Sequence, residues 1–293
     1  MSPLLLDLGL VFCALIWGST FIMVKDTISA VDPAALVGWR FVLSAACLLP
    51  WALRRPRPSR HLREGILLGG ILLVLYVTQT AGLRWTTASN SAFITGLFVL
   101  FVPLFLLLFL KRPPTRVQWG STALALGGLW LLTGGPAGFN RGDALTLLAA
   151  GSYAAHLLAT DAYVKADADP LLLAFHQFWA CGLGAFAIAA ARGAPLGVAT
   201  PRAWGEVCFL TLLPNVAAFF IQMTAQRTVA PLKVSLIFSL EPVFGALFAW
   251  TVGGEAFSER KAAGGLLILL ATVSGELSKL PALRGRKKEV LPA

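Results

Sequence analysis

The sequence predicts an all-α integral membrane protein whose ten transmembrane helices form two inverted five-helix repeats. Three observations predict it: a composition poor in charge, ten apolar stretches of spanning length, and a chain that resembles itself. Of 293 residues, 57% are hydrophobic and 13% are charged, with a mean hydropathy of +0.76. That charged share is about half that of a soluble globular domain. Such a chain lacks the polar side chains to cover a soluble surface, and it holds far too much apolar surface to stay disordered.

A spanning helix needs about 20 mostly apolar residues. Ten windows qualify: 4–23, 34–53, 65–83, 91–110, 117–134, 142–162, 170–190, 204–223, 233–252 and 262–280. Alternation with a period of two is absent, which argues against a membrane β-barrel. No Lys or Arg precedes the first window, so it reads as a span rather than a secretory signal. The connections are too short to fold as separate soluble domains.

The net charge of +10 comes from short basic clusters between apolar runs. Spread in this way, it reports topology and contact with anionic lipid headgroups, not nucleic-acid binding. With the N-terminus inside, most Lys and Arg fall on the cytoplasmic side, including Arg54–Arg63 and Arg284–Lys288. The expectation is a multi-pass protein of the inner or plasma membrane with both termini cytoplasmic. Cys13, Cys47, Cys181 and Cys208 lie in apolar runs without metal-ligand spacing and read as small packing residues.

The self-resemblance sets the domain organisation. Asp7–Trp17 aligns with Asp143–Tyr153, Asp32-Pro33 with Asp169-Pro170, and Arg84–Ile94 with Arg227–Ile237. Arg40 then falls opposite Gln177, and Pro103 opposite Pro242. Residues 1–136 form one repeat, 137–280 the second, and 281–293 a basic cytoplasmic tail. Five spans per repeat is an odd number, so the second repeat must enter the membrane from the opposite side. Inverted repeats of this kind are common among secondary transporters.

Short motifs add to this pattern. They are Trp17-Gly18-Ser19-Thr20-Phe21, Trp39-Arg40-Phe41, the stretch Thr86–Phe93, and Ser235–Phe244 with Glu241-Pro242 inside it, followed by Gly254-Glu255. In combination they resemble the EamA family of the drug/metabolite transporter superfamily along nearly the whole chain. The resemblance implies an inner-membrane carrier with a cavity between its halves, working by alternating access and exporting amino acids or related metabolites. Two features depart from the family pattern. Lys111-Arg112 stands where many relatives have Gly-Glu, and the first half carries about one extra helical turn between Asn90 and Pro103.

Polar residues inside apolar spans are the candidates for function, because each must find a partner in protein or in a wet cavity. Glu241 falls near the middle of the ninth window. It reads either as a proton-coupling or amine-binding carboxyl, or as a helix-bridging hydrogen-bond partner. Arg40 can bind a carboxylate or snorkel to the interface. His156 suits a proton relay or plain packing. Gln177, Gln79, Trp17 and Tyr153 are cavity candidates, with Tyr76, Asn215 and Gln222 as further polar groups. Pro103 and Pro242 read as paired kinks, hinges or static bends.

No phosphate-binding loop, metal-ligand spacing or nucleophile motif is present, so the sequence calls for no cofactor, no metal and no enzymatic activity. The expectation is a proton- or gradient-driven exporter of small metabolites such as amino acids, with the lipid bilayer as its surroundings. A nucleotide-sugar or organophosphate exchanger and a non-transporting membrane sensor are the alternatives. A homodimer has no supporting motif.

Overall fold

The computed structural model describes residues 3–110, 116–135, 138–229, 234 and 237–277. Lys111-Arg112, Ser235-Leu236 and the basic tail lie outside the described residues. The described residues form helices joined by turns and short loops, with no strand among them.

The first half comprises α1 (Pro3–Thr27), α2 (Pro33–Leu53), α3 (Leu62–Gly82), α4 (Ala88–Gly96), α5 (Phe98–Leu110) and α6 (Arg116–Thr133). The second comprises α7 (Arg141–Lys165), α8 (Pro170–Ala191), α9 (Pro201–Leu210), a π-helical segment (Thr211–Ala217), α10 (Ala218–Gln226), α11 (Glu241–Thr251) and α12 (Glu259–Leu277). Among the described residues, five helical runs are long and apolar enough to cross a membrane: Leu4–Thr27, Pro33–Leu53, Leu62–Gly82, Pro170–Ala191 and Pro201–Gln226. The fourth window is instead two helices parted at Leu97, and in the ninth a turn at Ser239-Leu240 precedes α11. The sixth window lies within α7, a 25-residue helix with Arg141, Asp143, Asp161 and Lys165 in its end turns.

Local chemistry explains where the helices start. Asp32 caps α2 by accepting from Ala34 N at 2.9 Å, and Asp169 caps α8 by accepting from Leu171 N at 2.9 Å. Each is followed by Pro at the first helical position, where a missing N–H costs nothing. The repeated Asp-Pro is thus a repeated helix start. Asn140 and Asp143 form a reciprocal capping box at α7.

Three pairs of helices from equivalent windows of the two repeats pack on one another: α2 on α8, α4 on α11, and α6 on α12. Gly38 of α2 faces the Phe186 ring while Gly182 of α8 faces Val42, so these helices run antiparallel. In the α6–α12 pair, Ser121 and Ser274 hydroxyls lie 3.1 Å apart and Gly128 lies against the Gly264 carbonyl, again antiparallel. Small residues let these backbones approach closely, as in membrane helix pairs generally.

Polar contacts tie the bundle at both ends. At one end Lys25 donates to the Leu83 carbonyl at 3.0 Å and to that of Thr86, Thr86 donates to Asp143, and Glu255 accepts from Ala88 N and Ser89 Oγ at 2.6 Å each. Arg84 and Arg192 meet Asp32 at this end too. At the other end Arg55 pairs with Asp169 at 3.0 Å, and Arg227 donates to the Ala168 carbonyl at 2.9 Å. The cysteines are free thiols: Cys13 and Cys181 are buried, whereas Cys208 is exposed on the helix surface.

Candidate functional site

A narrow, nearly closed cleft with a free volume of about 20 Å³, room for about one water, lies between the two halves, bordered by α1, α3, α7, α10 and the start of α11. Trp17, Phe21, Tyr76, Tyr153 and Phe219 bring five aromatic side chains to its wall. Gln79, His156, Gln222 and Glu241 supply its larger polar groups. Among the described residues neither Lys nor Arg lines it.

Glu241 is 5% exposed. It is the first residue of α11, not an interior residue of a continuous helix, and Pro242 follows in the same first turn. Proline is tolerated there because the first N–H groups of a helix have no intrahelical partner. Glu241 Oε2 accepts from the Tyr153 hydroxyl at 3.3 Å. Among the described residues no cation pairs with it. Tyr153 is held by stacking on Phe98, with ring centroids 4.3 Å apart.

Trp17 donates from Nε1 to the Pro214 carbonyl at 2.8 Å. That carbonyl lies within the π-helical segment, whose wider turn leaves backbone groups to be satisfied from outside. The ring of Trp17 meets Phe238 at 5.0 Å and Phe219 at 5.6 Å, edge-on in both cases. One side chain from the first repeat therefore clamps the irregular helix of the second.

Five of the seven sequence-derived binding or coupling candidates line the cleft: Trp17, Gln79, Tyr153, His156 and Glu241. The other two stand behind it. Gln177 Oε1 lies 2.8 Å from His156 Nε2 and orients that ring. Arg40 is 2% exposed, with Nη2 donating to Asn215 Oδ1 at 2.8 Å. Its guanidinium sits 4.6 Å from the centroid of the Tyr76 ring and 5.3 Å from that of Phe41. Tyr76 thus walls Arg40 off from the cleft, and among the described residues no carboxylate pairs with it. Pro103 lies within α5, six residues after the break at Leu97, whereas Pro242 opens α11. Trp39 is remote from the cleft, donating to the Leu196 carbonyl and packing on Phe186 and Trp204. His176 contacts the Pro58 carbonyl at 2.9 Å and holds the α2–α3 loop.

Phe219 and the π segment were not singled out from the sequence. The available signal was Pro214-Asn215, an imino acid and an amide in mid-run of an otherwise apolar window. Asn215 holds Arg40 through its Oδ1 and donates from Nδ2 to Ser44 Oγ at 3.1 Å. Asn215→Leu is expected to lower stability by about 1.5–3 kcal/mol, the range for a hydrogen bond to a charged group. Thermal unfolding of the purified protein in detergent checks this, and adding Arg40→Met to that variant is expected to recover part of the loss.

Comparison with known proteins places this geometry. Residues 4–134 and 140–274 each match the EamA-like transporter family. A protein of Archaeoglobus fulgidus named as an uncharacterized transporter is 32% identical over 274 residues, covering 91% of this chain and 84% of the relative. An uncharacterized inner membrane transporter of Escherichia coli strain K12 is 26% identical over 260 residues, covering 84% of this chain and 82% of the relative. One crystal structure superposes with a TM-score of 0.67 at 19% identity, covering 97% of this chain and 99% of its own, and so shares the fold. The two tandem matches leave a single conclusion: the chain belongs to the EamA-like transporter family, carrying its repeat twice.

Proposed function

We propose that this membrane transporter exports small metabolites of the amino-acid kind by alternating access, exchanging them for protons at Glu241. The observation that carries this reading is a buried carboxyl, Glu241, that borders the cleft between the halves and has no cationic partner among the described residues. Such a group is costly in a membrane protein and marks a pathway or coupling site by default. A proton and a substrate ammonium compete for the same carboxyl, so binding of one releases the other. His156, oriented by Gln177, stands beside the cleft as a second proton-carrying group.

The proposed topology is ten spans in two inverted repeats, residues 1–136 and 137–280, with both termini cytoplasmic. The antiparallel packing of α2 on α8 and of α6 on α12 supports the inversion. The basic clusters support the orientation. Pro103 within α5 and the turn that precedes Pro242 serve as the joints about which the halves rock. The absence of Lys and Arg from the cleft lining among the described residues disfavours phosphate-bearing substrates.

The test is a metabolite profile of cells and medium, comparing cells that express the protein with an empty-vector control. The expected result is an amine-bearing metabolite enriched in the medium only with the protein present. Unchanged medium and a metabolite accumulating inside the cells would overturn export in favour of uptake.

A further inference from the structure

The polar inventory of the cleft restricts what it can hold. Among the described residues its one carboxyl is Glu241, and no cation lines it. The nearest buried guanidinium, Arg40, lies behind the Tyr76 ring and already bonds Asn215. A zwitterion entering this space places its ammonium on Glu241 but leaves its own carboxylate without a cation and close to Glu241. In a low-dielectric interior an unpaired like charge is strongly disfavoured. An ammonium without that carboxylate leaves the cleft neutral and meets an aromatic-rich lining, the kind of surroundings that attract a cation.

A second observation points to a ligand independently. Gln222 is 1% exposed, borders the cleft, and its Nε2 has no hydrogen-bond partner in the protein. Buried amide donors are rarely left unpaired, because each carries a full desolvation penalty. Gln222 therefore brings to the border of the cleft an N–H donor that the protein leaves without a partner. A neutral carbonyl oxygen accepts that bond without adding charge.

We propose that the cleft takes small, apolar-bodied primary amines whose carboxyl group is absent or masked as an amide, with the ammonium on Glu241 and the neutral carbonyl on Gln222. This rests on the exporter reading above and narrows its amino-acid-like substrates to those without a free carboxylate. When the halves part and widen the cleft, the aromatic residues Trp17, Tyr76, Tyr153 and Phe219 meet the apolar body.

Calorimetric titration of the purified protein at neutral pH with phenethylamine, phenylalaninamide and phenylalanine tests it. Both carboxylate-free amines are expected to bind at least about tenfold more tightly than phenylalanine. Gln222→Leu is expected to weaken phenylalaninamide and to leave phenethylamine, which has no carbonyl, unchanged. The wild-type comparison stands even if that variant fails to fold. Equal or tighter binding of phenylalanine overturns the proposal, and Arg40→Gln then shows whether Arg40 has moved into the cleft. Equal weakening of both amines by Gln222→Leu overturns the carbonyl assignment. If none of the three probes binds while a metabolite still accumulates in the medium of expressing cells, this proposal fails and the exporter reading survives.

Discussion

Glu241→Gln is expected to reach the membrane at the wild-type level, to stay folded, and to lose pH-dependent export. The amide has the shape of a protonated carboxyl and still accepts from the Tyr153 hydroxyl now bonded to Oε2. The packing of α11 against α1 and α4 therefore has no reason to change. A charged side chain at mid-membrane costs at least about 2.5–3.5 kcal/mol on insertion scales, so replacing it with a neutral amide removes a burden on the fold. What the amide cannot do is release a proton when substrate arrives. The pH–rate profile of export is expected to be flat and the rate to fall to that of empty-vector vesicles. Glu241→Asp keeps a titrating carboxyl, retracted by one methylene, and is expected to keep the pH dependence at a reduced rate. Proton-driven efflux from vesicles with equal protein content measures both. A wild-type pH profile in Glu241→Gln would reassign this carboxyl to holding helices together.

Gly18→Val is expected to cause the largest loss of folded protein among single substitutions near the cleft. A Cβ at this position would lie 2.6 Å from Phe244 Cβ and 2.9 Å from both the Glu241 carbonyl oxygen and the Gly245 nitrogen. Two of these three neighbours are backbone atoms, which no side-chain rotation can clear. Overpacking in a filled interior costs about 1–3 kcal/mol where neighbours can give way, and the rigid backbone here puts the cost at the top of that range or above it. The same contact sets the first turn of α11, and hence the placement of Glu241. Gly18→Ala is expected to show a milder form of both effects. Folded yield on size-exclusion chromatography and the midpoint of thermal unfolding measure the outcome. Wild-type values for Gly18→Val would mean that α1 and α11 separate more easily than their contact implies.

Much of the site was legible because membrane burial makes polar residues conspicuous. Glu241, His156 and Gln79 interrupt apolar windows, and Trp17 and Tyr153 occupy matching places in the two repeats. Arg40 and Gln177 interrupt them equally, yet one lies behind Tyr76 and the other behind His156. Periodicity places a residue within a span, but it does not say which neighbouring ring stands between that residue and a cavity. Phe219 carried no signal, since an aromatic in an apolar run is ordinary.

The apolar runs, the Asp-Pro helix starts and the repeat are local or one-dimensional features. They follow from the demand that every backbone polar group in lipid be satisfied within its own helix, a demand visible in sequence alone. The break at Leu97, the π segment around Pro214 and the start of α11 at Glu241 are decided by contacts between residues far apart in the chain. Trp17 holds the Pro214 carbonyl, Gly18 lies against the Glu241 carbonyl, and Gly96 lies against the Pro242 ring. Each irregularity is stabilised by a partner from the other repeat. Only the packed structure brings that partner within reach.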